Sequence, residues 1–411
     1  MTRPILPCLC LLLVAALLHA APAAAQARIQ LQPTGLTPDE LAVIVNDDDP
    51  LSQQVADYYR KARRIPEANM IHLRFPPGRH TLTRDEFRQL KTRIDQATPA
   101  RVQAYAVAWT DPYRVDCMSL TSALAFGFDE SHCAADCGPT ALSPYFNSTS
   151  LQPARDFNMR PAMMLAGIRF EDVKALIDRG VAADQSFPQG RAYLAVTSDK
   201  ARSVRATLYE QTAKDLEGVF PIDIVETDAI ADRRDVLFYF TGLVRVPQLD
   251  TLTFLPGALA DHLTSAGGQL TDSSQMSSLR WLEAGATASY GTVVEPCNHP
   301  QKFPVPGVAM YHYALGASAI EAYWKSVAWP GAGVFVGEPL ARPFAPGVRE
   351  VGPGQFELRL FSPRERFLDI EHSRSAAGPF KPISRHPALR RGANAVRFSV
   401  ARNEGYLRIR W

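Results

Sequence analysis

The chain has 411 residues, 46% of them apolar, and a formal net charge of +2 from nearly balanced acids and bases. That is enough apolar material for one large domain and a small one, and it excludes a disordered or fibrous protein. No strong field of either sign points to nucleic acid or an anionic membrane.

The first residues, MTRPILPCLCLLLVAALLHAAPAAAQA, join a basic start, an apolar centre and a small-residue end. This is the pattern of a secretory signal peptide over 1–27, with cleavage after Ala25 or Ala27. Cys8 and Cys10 lie inside the apolar centre rather than behind a lipobox, and no later stretch is long and apolar enough to span a bilayer. The mature chain is expected to be exported, periplasmic or secreted. Its Cys117, Cys133, Cys137 and Cys297 are then disulfide candidates, and four cysteines allow three pairings among which sequence does not choose. The alternative is zinc on His132 with Cys117, Cys133 and Cys137, but the spacing matches no common zinc module and exported thiols oxidise. No cofactor is expected, and a metal ion is the less favoured reading.

LAVIV, Leu41 to Val45, reads as a strand, followed by a polar turn and a helix in which Leu51, Val55, Tyr58 and Tyr59 recur at helical spacing before Pro66. Asp47-Asp48-Asp49 could bind calcium or magnesium; acids beside a helix start more simply cap free N–H groups. MIHLRF gives a second strand, TRDEFRQLKTRIDQA a helix with Thr83 as N-cap, and VQAYAVAWT a buried third strand. This alternation predicts a mainly parallel α/β sheet over 28–342. Asp111, Tyr113 and Arg114 follow the third strand, where they line a cleft or form a capped turn.

Between about 117 and 162 the periodicity fades into a glycine-, proline- and serine-rich insertion holding three of the cysteines. Asn147-Ser148-Thr149 fits a glycosylation acceptor, which requires a eukaryotic secretory path. The α/β rhythm resumes with FEDVKALIDRGVAA and RAYLAVTSD and runs on through DVLFYFTG and LTFLPGALADHLTSAGG. From Pro343 the alternation in QFELRLF, ANAVRFSV and GYLRIRW predicts a small β-rich C-terminal domain over 343–411. Its arginines face a polyanion or, more simply, form a solvated face.

Several segments resemble a family of exported bacterial proteins of unknown function: NDDDPLSQQVADYYRKARRIP, FLPGALADHLTS, GATASYG with VVEP, and GASAIEAYWKSVAWPGAGVFVGEPLARPF. The resemblance runs over about 38 to 345 and implies no activity. More distantly the layout resembles the gingipain and caspase-like cysteine peptidases, which implies a three-layer fold. In those enzymes a histidine-glycine pair follows one strand and the catalytic cysteine the next. The resemblance puts Thr241-Gly242 and Gly257-Ala258 at those places, facing one another, and Gly337-Glu338-Pro339 at a later turn. Without thiolate and imidazole no activated sulfur nucleophile exists.

Asp261, His262 and Ser265 hold the ingredients of a triad, but on a helix Asp261 and His262 point about 100° apart, so a structural histidine is the simpler reading. Glu295, Cys297, His299 and His312 form a second candidate group, at the strand end of SYGTVVEPC, for moving protons or binding metal. The bland alternative has Glu295 satisfying backbone N–H groups while Cys297 is bridged to the insertion. The cleft-lining set is thus Asp111, Arg114, Thr241, Ala258, Glu295 and Glu338, with Glu295, His299 and His262 as the catalytic candidates. The leading expectation is an exported binding or scaffolding protein, with a protein partner in the envelope and not nucleic acid. The alternatives are a hydrolase using Glu295 with nearby histidines, and a divergent cysteine peptidase.

Overall fold

The computed structural model describes residues 28–134, 137–399 and 405–411, with the backbone alone for 383–387. The signal-peptide segment, with Cys8 and Cys10, lies outside the described residues. In chain order the elements begin with β1 (Arg28–Leu31), β2 (Leu41–Asn46), α1 (Pro50–Arg63), β3 (Met70–Leu73), β4 (Thr81–Leu82), α2 (Arg84–Ala97) and β5 (Ala104–Val107). They continue with β6 (Arg114–Val115), β7 (Met118–Ser119), α3 (Leu120–Phe126), α4 (Pro153–Phe157), β8 (Ala162–Met164), α5 (Phe170–Ala183) and β9 (Arg191–Val196). Next come α6 (Tyr209–Asp215), β10 (Ile222–Glu226), β11 (Val236–Thr241), β12 (Phe254–His262), α7 (Leu279–Ala284), β13 (Ala288–Thr292), α8 (Pro306–Ala314), α9 (Ala319–Trp324) and β14 (Gly333–Gly337). The last strands are β15 (Gly347–Gly352), β16 (Gln355–Ser362), β17 (Arg366–Ser373), β18 (Lys381–Leu389), β19 (Gly392–Ser399) and β20 (Tyr406–Arg410).

Local chemistry sets many of these boundaries. Asp49 accepts from Leu51 N at the start of α1, and Arg64 in the left-handed region closes it. The neighbouring acids are also spoken for: Asp47 lies 2.8 Å from His72 Nδ1, and Asp48 accepts from Arg74 Nη1. Thr83 and Glu86 form a reciprocal capping box on α2.

A ten-stranded sheet runs β10-β9-β11-β12-β13-β14-β8-β5-β2-β3. Helices α1, α5, α6, α8 and α9 bury their apolar sides on one face, and α2, α3 and α7 on the other, giving three layers. All neighbours in this sheet are parallel except β13 and β14, which pair antiparallel. The sheet is therefore two parallel halves running in opposite directions, and their carboxyl ends lie on opposite edges.

Gly291 in β13 answers for the small-residue run around it. A Cβ there would stand 2.3 Å from Gly267 C, so the β12–α7 loop can cross β13 only over a glycine.

Strands β15 to β20 form two smaller sheets, β1-β20-β17-β18 and β15-β16-β19, around their own apolar cluster with Leu358, Leu368, Ile370 and Leu407. Strand β1 pairs in parallel with β20, so Arg28–Leu31 belongs to this C-terminal sheet and not to the ten-stranded one the sequence grouped it with. Phe361 stacks on Phe220 and packs on Phe344, joining the C-terminal strands to the core. The insertion is less irregular than its composition predicts, because α3 is a buried helix with Leu120, Ala123 and Leu124 in the core.

Candidate functional site

The described cysteines form two disulfides, Cys117–Cys133 and Cys137–Cys297, so none of the four offers a thiolate. The first closes a loop within the insertion, and the second ties the insertion to the segment after β13. The zinc reading of these residues falls with them, since a sulfur in a disulfide is not a thiolate ligand. Among the described residues no three His, Cys, Asp or Glu side chains gather as a metal-binding group.

The expected facing pair at the strand ends is not formed. Thr241 stands opposite His262, and Phe238 opposite Leu259, which leaves Ala258 some four positions back toward the amino end of β12. At strand spacing that is about 13 Å from the level of Thr241. The reason is the length of β12: Asp261 and His262 continue the strand, where the sequence reading made them helical.

Their side chains consequently leave on opposite faces. Arg205 Nη1 lies 2.6 Å from Asp261 Oδ1 with both groups fully buried, but without hydrogen-bond alignment, so the attraction is chiefly Coulombic. Burial raises the Asp261 carboxyl to about 6 against the pull of that guanidinium. His262 Nδ1 accepts from Trp281 Nε1 at 2.9 Å, and its Nε2 lies 3.1 Å from Met276 O, to which it donates as the neutral tautomer. Burial, with Arg205 nearby, pushes the imidazole down to about 3. With both ring nitrogens engaged, His262 holds structure and has no free lone pair for a substrate.

The other sequence candidates are dispersed. Glu295 is exposed and accepts from Cys297 N at 2.8 Å, a local turn; His299 Nε2 donates to Cys137 O at 2.7 Å, clasping the disulfide loop. Asp111 follows β5, in the opposite half of the sheet, and takes hydrogen bonds from His80 Nδ1 and Thr271 Oγ1, each at 3.0 Å. Arg114 Nε donates to Asp116 O. Glu338, at the end of β14, is fully buried, accepting from Tyr59 OH at 2.7 Å and Arg63 Nε at 2.9 Å. It is an internal ion-pair partner and lines no cleft. Thr241 gives its carbonyl to Arg205 Nη2 at 2.6 Å, and its buried hydroxyl has no partner.

A concavity of about 660 Å3 lies elsewhere, between helices α6 and α8. One wall is Leu208, just ahead of α6, with Gln211, Thr212 and Asp215 of α6, and the other is Val308, Tyr311 and His312 of α8 with Leu315 just after it, each set at i, i+3, i+4 and i+7 spacing. Asn147 and Thr149 from the insertion, and Arg364 and Arg366 from the C-terminal strands, close its sides, while Lys325 lies behind. His312 Nε2 meets Asn147 Oδ1 at 3.0 Å, and burial beside Lys325 holds that imidazole neutral, down to about 3. Lys325 Nζ donates to Ser150 O at 2.9 Å and sits over the Tyr145 ring. The Tyr311 hydroxyl is buried without a partner. Of the sequence candidates for moving protons or binding metal, His312 reaches this cavity. Its other parts come from segments far apart in the chain, and no local pattern joins them.

No model of a known protein family matches the sequence, and no curated protein matches it. Among solved structures, one described as a structure of a protease aligns over 89% of this chain and 98% of its own, at 11% identity and a TM-score of 0.38. A complex of the pro- and mature domains of RgpB from Porphyromonas gingivalis aligns over 87% of this chain and 92% of its own, at 10% identity and a TM-score of 0.41. Superpositions this loose carry neither an active site nor a mechanism across.

Proposed function

We propose that this chain is an exported, non-peptidase binding protein whose ligand site is the cavity between α6 and α8. The observation that carries the reading is that cavity: its volume of about 660 Å3 falls in the range of small-molecule pockets, about 300–1,000 Å3, and apolar side chains such as Leu208, Leu216, Val308 and Leu315 meet polar ones there. The leader-like first residues and the two disulfides support export. Against the cysteine-peptidase alternative stand the disulfides of all four described cysteines, and against the hydrolase alternative stands the dispersal of its named residues. Glu295, His299 and His262 are each hydrogen-bonded to a different group and none to another of the three.

A thermal-shift screen of small molecules on the wild type and on Val308→Trp, which fills the cavity from the α8 wall, tests this. A ligand at a hundredfold excess over its Kd stabilises the native state by about 2.7 kcal/mol. Hits are expected to raise the melting temperature of the wild type and leave the Trp variant unmoved. Equal shifts in both would put the ligand site elsewhere.

A further inference from the structure

We infer that the ligand is a small organic anion, its carboxylate or phosphate head held by Arg364, Arg366 and Tyr311 and its apolar body lying between α6 and α8. This rests on the cavity being the ligand site.

The charge census comes first. The cavity walls carry three cationic side chains, Lys325, Arg364 and Arg366, against one carboxylate side chain, Asp215, and Trp411, whose main-chain oxygen faces Arg366. Lys325 is committed to Ser150 O and the Tyr145 ring, and Asp215 accepts from Gln211 Nε2 at 2.7 Å. Arg364, by contrast, has no carboxylate partner and no side-chain hydrogen bond among the described residues. Its guanidinium lies over the Tyr311 ring, 5.2 Å from the centroid. Arg366 reaches only Trp411 O, at 3.4 Å. Burial and the neighbouring Arg364 charge both hold the Arg366 guanidinium below its usual range, while Tyr311 pulls the other way. Arg364 therefore faces the cavity without a counter-charge, while Arg366 leans on Trp411 O.

Tyr311 supplies the third observation. Tyr311 lines the cavity, its hydroxyl lies out of solvent with no partner among the described residues, and a buried O–H without an acceptor costs about 1–3 kcal/mol. An anionic oxygen placed among these groups takes the phenolic proton as a hydrogen bond. It also takes the parallel N–H groups of a guanidinium, for which carboxylate and phosphate geometry fits. Leu208, Leu216, Val308 and Leu315 also line the cavity, beside Gln211, Thr212 and Asp215, and supply apolar surface for an alkyl or aromatic body.

Calorimetric titration with octanoate, octyl phosphate and 1-octanol separates the possibilities, using the wild type, Arg364→Gln, the Arg364→Gln/Arg366→Gln double variant and Tyr311→Phe. Arg364 is exposed, so its single variant keeps the fold even if the double variant does not. Both anions are expected to bind the wild type at least tenfold more tightly than octanol does. Arg364→Gln should weaken them about tenfold, the double variant thirtyfold or more, and Tyr311→Phe a few-fold. The tighter of the two anions identifies the head group. Octanol binding as tightly as the anions, with affinity indifferent to the arginines, overturns the anion assignment and leaves the cavity as a neutral-ligand site. Failure of all three to bind the wild type overturns the cavity reading as well.

Discussion

Thr241 and His262 stand opposite each other at the paired ends of β11 and β12, and the histidine turns away from that edge into Trp281. The two strand ends at which the peptidase resemblance expects imidazole and thiol thus hold a hydroxyl without a partner and a ring packed for structure. With all four described cysteines in disulfides, sulfur chemistry has no starting point.

The thiols are the first check. Iodoacetamide is expected to label none of Cys117, Cys133, Cys137 and Cys297 in the native protein without reductant, and all four after reduction in denaturant. Removing the Cys137–Cys297 bridge by a double Ser substitution should cost about 3–5 kcal/mol in denaturant melts, because it closes a loop of 160 residues; the 16-residue Cys117–Cys133 loop should cost less, about 3 kcal/mol. Rapid labelling of Cys297 in the native protein would revive the peptidase reading.

Acid should loosen this fold through two histidines. His262 and His312 are buried neutral with folded values of about 3, below the ordinary 6.5. A depressed value means the unfolded chain takes the proton first, so their stabilisation is full above pH 6.5 and is lost as pH falls toward 3. By pH 5 each accounts for about 2 kcal/mol of that loss. Melting curves of the His262→Gln/His312→Gln variant should be lower at pH 7 but flatter between pH 7 and 5 than the wild type. An unchanged slope would mean that neither ring titrates on unfolding.

Two glutamates at strand ends should behave oppositely. Glu295→Gln keeps an exposed acceptor for Cys297 N and removes only its charge, so it should cost less than about 1 kcal/mol and leave octanoate binding alone. Glu338→Gln takes from buried Arg63 one of its two carboxylate partners, leaving Asp184, and should cost about 2–3 kcal/mol. A large effect of Glu295→Gln on binding would return the functional site to the β13 edge.

Gly291→Ala puts a methyl group 2.3 Å from the backbone of Gly267 and has no flexible side chain to push aside. A loss of about 3 kcal/mol or more is expected in chemical denaturation, with the β12–α7 loop displaced.

Much of the layered fold is legible in the sequence because its signals are local. The Asp49 cap and Thr83 capping box place α1 and α2, and the apolar runs LAVIV, AYAV and LFYF place β2, β5 and β11. What stayed hidden depends on distant partners. ALADH scores as helix, and it is strand because Asp261 meets Arg205, 56 positions earlier, while His262 meets Trp281 on the other face. The reversal between β13 and β14 splits the presumed common edge, and no residue pattern announces it. The cavity needs helix α6, helix α8, the insertion and Arg364 brought together, and its sequence traces are His312, grouped there with Glu295, and C-terminal arginines that read more simply as solvated surface.

The measurement that tests the account most directly is a crystal structure of the protein grown with octyl phosphate. The phosphate is predicted to lie within hydrogen-bond reach of Arg364 and the Tyr311 hydroxyl, with the alkyl chain between Val308 and Leu208. A phosphate bound at the ends of β11, β12 and β13, beside Thr241 and Glu295, with the α6–α8 cavity empty, would contradict it.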